Sequence, residues 1–79
     1  MPEWLRYKSW RFHVFIGDTT RRPHVHISKP RQEVKVWLDT LEVADSVNVK
    51  PKDVRDLRRH AEDNAELLRQ KWKEQFPDG

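Results

Sequence analysis

The stretch His24-Val25-His26-Ile27-Ser28-Lys29-Pro30-Arg31-Gln32-Glu33-Val34-Lys35-Val36-Trp37-Leu38 decides the fold. Its two halves alternate apolar and polar residues with period two, the pattern of half-buried strands. Lys29-Pro30-Arg31-Gln32 between them has the composition of a turn. Closing the hairpin with Ser28 opposite Glu33 pairs Ile27 with Val34 and Val25 with Val36 on the apolar side. The other side then pairs His26 with Lys35 and His24 with Trp37. A one-residue slip would set apolar against polar throughout, so the pattern fixes the register.

Upstream, Trp10, Phe12, Val14 and Ile16 alternate with Arg11, His13 and Phe15. This reads as a strand over about 10–16, with Gly17-Asp18-Thr19-Thr20 as the turn that follows it. Extending the pairing puts His13 opposite His26; a two-residue shift would put Phe15 there instead. The outward face of the sheet is therefore expected to gather His24, His26, Lys35, Trp37 and His13. Downstream, residues 41–47 alternate weakly and suggest a short fourth strand over about 41–46.

From Pro51 the period changes. Val54, Leu57, Ala61, Ala65, Leu68, Trp72 and Phe76 recur in steps of three and four, the stripe of an amphipathic helix. Pro51 suits the first helical position, Asp53 complements the first turn, and Pro77-Asp78-Gly79 ends the run. One long helix over about 51–76 is expected. The whole chain, 1–79, then reads as a single α+β domain: an antiparallel meander of three or four strands with one face covered by the carboxy-terminal helix.

Strands of five to seven residues span roughly 17–24 Å, whereas a helix of about 25 residues spans roughly 38 Å. The helix should overhang the sheet, and its outer end carries Leu68, Trp72 and Phe76. Either Trp4, Leu5 and Tyr7 fold back over that end, or another chain covers it and makes it a partner surface.

Composition narrows the chemistry. With 79 residues and no cysteine, the core must rest on the 35% apolar content, which includes four tryptophans and three phenylalanines. No apolar run approaches the roughly 18 residues of a membrane span. Met1-Pro2-Glu3-Trp4 has no basic-then-apolar signal segment, so a cytoplasmic protein is expected. Two glycines in the chain leave no phosphate-cradling glycine loop, and there is no serine elbow or paired-carboxylate motif. Residues 1–35 carry eight Lys/Arg against three Asp/Glu, so the positive charge gathers in the amino-terminal half. Such a field attracts phosphates or an acidic protein.

His24 and His26 are the candidate acid/base pair. Cleavage of RNA by its own 2′-hydroxyl needs a base, an acid and a cation, and no metal. Arg21, Arg22 and Lys35 are the candidate phosphate-holding cations, with Trp37 as a base-stacking surface. The same residues also suit a binding face without chemistry, or the ordinary polar side of a half-exposed sheet. Imidazoles two apart on a strand can chelate zinc or nickel, and His13 or Glu33 would have to complete such a site; neither a metal nor another cofactor is assigned. His60 lies on the charged side of the helix and is expected to be solvated, while Arg58 and Glu62 are spaced for an i,i+4 ion pair. Asp39 is expected to cap a turn.

The succession of Trp10–Ile16, Arg22-Pro23-His24-Val25-His26-Ile27, Val34-Lys35-Val36-Trp37-Leu38-Asp39 and a helix closing on Lys71-Trp72-Lys73-Glu74-Gln75-Phe76 resembles a small bacterial family catalogued as domain of unknown function 4160. The resemblance covers residues 1–76. It places the family's motif histidines on His24 and His26, its motif proline on Pro23, and its third-strand residues on Trp37, Leu38 and Asp39. Two positions depart from the pattern: Arg22 replaces the first proline of a Pro-Pro pair, and Lys50 stands where a serine often caps the helix. The family's genes often lie beside a second small gene, as in a toxin–antitoxin pair. The resemblance thus implies a cognate small antitoxin-like protein as partner and a ribonuclease-type toxin activity. RNA and a second copy of the chain are further expected partners, a membrane is not.

Overall fold

A computed structural model describes residues 3–14 and 22–77. Five strands form one antiparallel sheet in the order β1-β2-β3-β4-β5. They are β1 (Glu3–Tyr7), β2 (Trp10–His13), β3 (His24–Lys29), β4 (Gln32–Trp37) and β5 (Val43–Val47), followed by helices α1 (Pro51–Asp63) and α2 (Ala65–Gln75). The expected class is the one observed, an α+β meander with carboxy-terminal helices. Phe15, Ile16, the Gly17–Thr20 turn and Arg21 lie outside the described residues.

The register of the central hairpin is the one its pattern demands: Ile27 opposite Val34, Val25 opposite Val36, His26 opposite Lys35 and His24 opposite Trp37. His13 faces His26 across β2 and β3. Val43–Val47 is the anticipated extra strand on β4. The fifth strand, β1, is an addition: Glu3–Tyr7 pairs along β2, with a register shift between Glu3 and Leu5. Trp4, Leu5 and Tyr7 are thus sheet residues packed partly against the core rather than a flap over the helix end.

Phe12, Val25, Ile27, Val34 and Val36 are buried with Leu57 and Ala61 of α1 and Leu68 of α2 in one cluster. His60 departs from expectation. Its ring stacks on Tyr7 with centroids 3.9 Å apart and meets Phe12 edge-on at 5.6 Å, so it joins the helix to the sheet rather than to solvent. Arg58 and Glu62 form the anticipated ion pair at 2.9 Å.

The expected single helix is two. Asn64 leaves helical geometry at φ −115° and ψ 20°. Its side-chain amide donates to the His60 carbonyl at 2.9 Å, and its backbone N–H bonds to the His60 and Ala61 carbonyls. Asparagine competes in this way for backbone groups that a continuous helix would use. The helical hydrogen bonds continue across the break, from the Leu68 N–H to the Asn64 carbonyl at 2.9 Å, and Leu68 and Trp72 of α2 join the core. At the other end of α1, Lys50 makes no side-chain cap bond, as its departure from serine implies.

Two hairpin turns share one end of the sheet. Lys8, between Tyr7 and Trp10, has φ 56°, and Arg31, between Lys29 and Gln32, has φ 66°. Pro30 followed by a positive φ is the type II arrangement, which favours glycine or asparagine at the second site. A cationic side chain there costs about 1 kcal/mol or more in backbone strain. Asn48 braces the second turn, its amide donating to the Arg31 carbonyl at 3.0 Å while Gln32 donates to the Asn48 carbonyl at 2.9 Å.

Candidate functional site

β3 presents His24 and His26 on one side because alternate residues of a strand point the same way. The pairing of β2 adds His13, so three imidazoles form a row. The His13 and His26 rings stack with centroids 5.8 Å apart, and His24 meets His26 edge-on at 5.1 Å. His24 Nδ1 lies 2.8 Å from the Arg22 carbonyl, and His26 Nδ1 lies 3.1 Å from Glu33 Oε1. Carbonyl and carboxylate oxygens only accept, so both Nδ1 atoms carry protons and donate. His13 Nε2 and the Ser28 hydroxyl are 2.8 Å apart.

This row is not the solvent-facing surface the alternation implies. His24 is 0% exposed, His13 4% and His26 8%. For His24 a physical reason is visible: Trp72 of α2 reaches the His24 ring at 5.0 Å. Trp37 meets the same ring edge-on at 6.0 Å. Helical periodicity places Trp72 on a stripe but carries no information on which side chains the stripe meets. Among the described residues, no three His, Asp or Glu side chains come together as a metal site.

Burial lowers the His13 pKa below that of an ordinary imidazole; the neighbouring His26 adds to the effect and Glu33 opposes it. A depressed folded-state pKa means that the unfolded chain takes up its proton first. His13 therefore contributes stability that is full above the unfolded value near 6.5 and declines as pH falls towards the lower folded value. One such proton changes stability by at most about 1.4 kcal/mol per pH unit. The urea midpoint is expected to drop between pH 7.5 and pH 5, and to drop less in His13→Gln. Equal drops in both proteins would show that His13 is not the linked group.

The candidate phosphate and base contacts do converge. The Arg22 guanidinium lies 4.2 Å and the Lys35 ammonium 4.7 Å from the centre of the Trp37 ring. Arg22 is fixed there by Asp39, with Nε to Oδ2 at 2.9 Å and Nη2 to Oδ1 at 3.2 Å. That hydrogen bond to Arg22 is also the main reason the Asp39 carboxyl stays below the usual carboxylate pKa. Asp39 Oδ1 accepts from the Thr40 backbone N–H at 2.8 Å, the turn role expected of it. Arg21 lies outside the described residues.

Leu68 and Trp72, expected at an overhanging end, are in the core at 0% and 3% exposure. Phe76 packs on Trp72 with ring centroids 4.4 Å apart and is half-buried. The end of the helix is therefore covered within the chain. A feature that composition did not localise is a second cationic group, Arg6, Lys8, Arg11 and Lys29, around one cleft. The charge count of residues 1–35 contained it, but only the meander brings β1 beside the β3–β4 turn.

No helix among the described residues is long and apolar enough to cross a membrane. No curated protein and no solved structure matches the chain. A family described as domain of unknown function (DUF4160) matches residues 9–73, a span that holds the histidine row, the Trp37 platform and most of both helices. With that match covering most of its length, the chain belongs to the DUF4160 family.

Proposed function

We propose that this chain is an RNA-binding component of a two-gene, toxin–antitoxin-like module, and that Arg22, Lys35 and Trp37 form its contact surface. The observation that carries the reading is the convergence of two cations on one half-buried indole. Both cations lie over the ring. A base therefore stacks on Trp37 in exchange for Lys35, whose flexible ammonium then meets a phosphate, while Arg22 stays held by Asp39 and extends the stacking surface. The histidine row lies beneath this surface and supports it: His24 donates to the carbonyl of Arg22 and its ring touches Trp37. The small antitoxin-like partner and a homodimer belong to the same reading.

A second reading, metal-independent RNA cleavage, is favoured by the His26–Glu33 contact. A carboxylate at Nδ1 orients an imidazole and stabilises its charged form, leaving Nε2 as the basic nitrogen of the neutral ring. In that reading His26, 8% exposed, is the ring that exchanges protons with RNA and must be uncovered to do so, and His24, 0% exposed, is a positioning residue.

Fluorescence anisotropy with a labelled single-stranded RNA tests the first reading. Trp37→Ala is expected to weaken binding roughly tenfold or more, from the loss of one stacked base. Lys35→Ala should lower the salt slope by about 0.7. Unchanged affinity in Trp37→Ala would sink the platform. Gel analysis of the same mixtures separates the two readings. RNA shortened by the wild type and left whole by His26→Ala supports cleavage, whereas whole RNA in both supports binding alone.

A further inference from the structure

The geometry points to a second phosphate site at the opposite end of the sheet, in the cleft between the β1–β2 and β3–β4 turns. The cleft has a volume of about 570 Å³ and is lined by Arg6, Lys8, Ser9, Arg11, Ser28, Lys29 and Pro30. All but Pro30 carry a cation or a hydroxyl, and no carboxylate is among them. Guanidinium and ammonium donors beside hydroxyls are the groups that hold phosphate oxygens.

Charge balance supports the assignment. Arg6 and Arg11 share a single carboxylate, Glu3, at 3.0 and 3.7 Å. Among the described residues, Lys8 and Lys29 have no carboxylate partner; each instead lies over a ring, Lys8 on Tyr7 at 5.2 Å and Lys29 on Trp10 at 4.7 Å. Aromatic rings hold an ammonium without neutralising it. Lys8 also occupies a positive-φ turn position where asparagine or glycine fits better. The chain keeps a cation at this site at the expense of local backbone preference, and strain of this kind concentrates where a side chain is needed for contact.

The ligand is a chain of phosphates, the backbone of a polynucleotide. An acidic peptide also carries anions, but the cleft offers no apolar socket in which a peptide side chain would anchor. Arg11 and Ser28 stand opposite one another in the β2–β3 register, and Ser28 lies four strand residues, about 13 Å, from His24, which is paired with Trp37. A single strand stacked on Trp37 can therefore continue to the cleft. The polymer rests on the RNA-binding reading above; the phosphate chemistry of the cleft does not.

The test uses Lys8→Asn/Lys29→Gln in the full chain. Asparagine tolerates the positive φ of position 8, so removing these charges leaves the turn at least as well formed. With a fluorescein-labelled 12-mer of oligouridylate, the double variant is expected to bind about tenfold more weakly at 0.1 M salt. Its salt slope should fall by about 1.4, from two lost phosphate contacts. Unchanged affinity and slope would overturn the site. Inorganic tripolyphosphate should displace the 12-mer from the wild type, and decaglutamate should not; equal displacement by decaglutamate would overturn the phosphate assignment. If the wild type binds tripolyphosphate but not RNA, and the double variant binds neither, the cleft stands and the RNA reading falls. If the wild type binds neither, both fall.

Discussion

Replacing Trp72 by alanine is expected to cost about 3–5 kcal/mol, the range for deleting a large aromatic side chain from a core. Trp72 is 3% exposed and touches His24 on one side and Phe76 on the other. A domain of this size has only about 4–12 kcal/mol to lose. Each kcal/mol corresponds to about 4–8 °C in Tm for a small domain, so the variant should melt more than 10 °C lower or not fold at room temperature. Trp72→Phe is the informative companion. It keeps most of the ring and removes an indole N–H that is buried without a hydrogen-bond partner among the described residues, so its cost should be much smaller. Thermal denaturation followed by far-UV circular dichroism reads both. A Trp72→Ala protein melting within 1–2 °C of the wild type would mean that α2 is not docked in solution, and would restore Trp72 as a surface for another chain.

The second large effect is at His24. Alanine there is expected to cost about 2–4 kcal/mol, from a cavity at a fully buried position and an Arg22 carbonyl deprived of its donor. His24→Asn places an amide N–H near the position of Nδ1 and should recover part of this. The comparison matters for any assay of the histidine pair, because loss of activity in a His24→Ala protein would follow from a weakened fold with no bearing on chemistry. The urea midpoints of the alanine and asparagine variants, measured beside RNA binding, separate the two. If His24→Ala has the wild-type midpoint, the residue is not structural. If His24→Asn has that midpoint but no longer cleaves RNA, His24 takes part in the chemistry.

The hairpin register was legible because its apolar pairs and its polar pairs both had to match, and a slip would have broken all of them. The position of β5 and the start of α1 were legible from alternation and from Pro51. Two features were not. β1 is five residues long with a register shift, so Trp4, Leu5 and Tyr7 show too little alternation to declare a strand. The break at Asn64 sits between stretches with the same periodicity, and a stripe of apolar residues reads the same in one helix and in two. The packing of Trp72 on His24 joins the two large departures at the candidate site, the burial of His24 and the enclosure of Trp72. Strand alternation made Lys35 and Trp37 legible as neighbours; Arg22 precedes β3, and its ion pair with Asp39 is what sets it beside Trp37. The Arg6, Lys8, Arg11 and Lys29 cleft depends on β1, and it was invisible for the same reason that β1 was.

The order of elements along the chain has a consequence for synthesis. Each strand pairs with the one just before it, so the sheet can assemble progressively as it leaves the ribosome. Its apolar side, with Phe12, Val25, Ile27, Val34 and Val36, is covered by residues that are made later, Leu57, Ala61 and Leu68. At about 5–20 residues per second, that side waits uncovered for a second or more while the helices are translated. During this interval the nascent protein is a bare, sticky sheet, and slowing translation across the helical codons should raise its aggregation without altering the finished molecule.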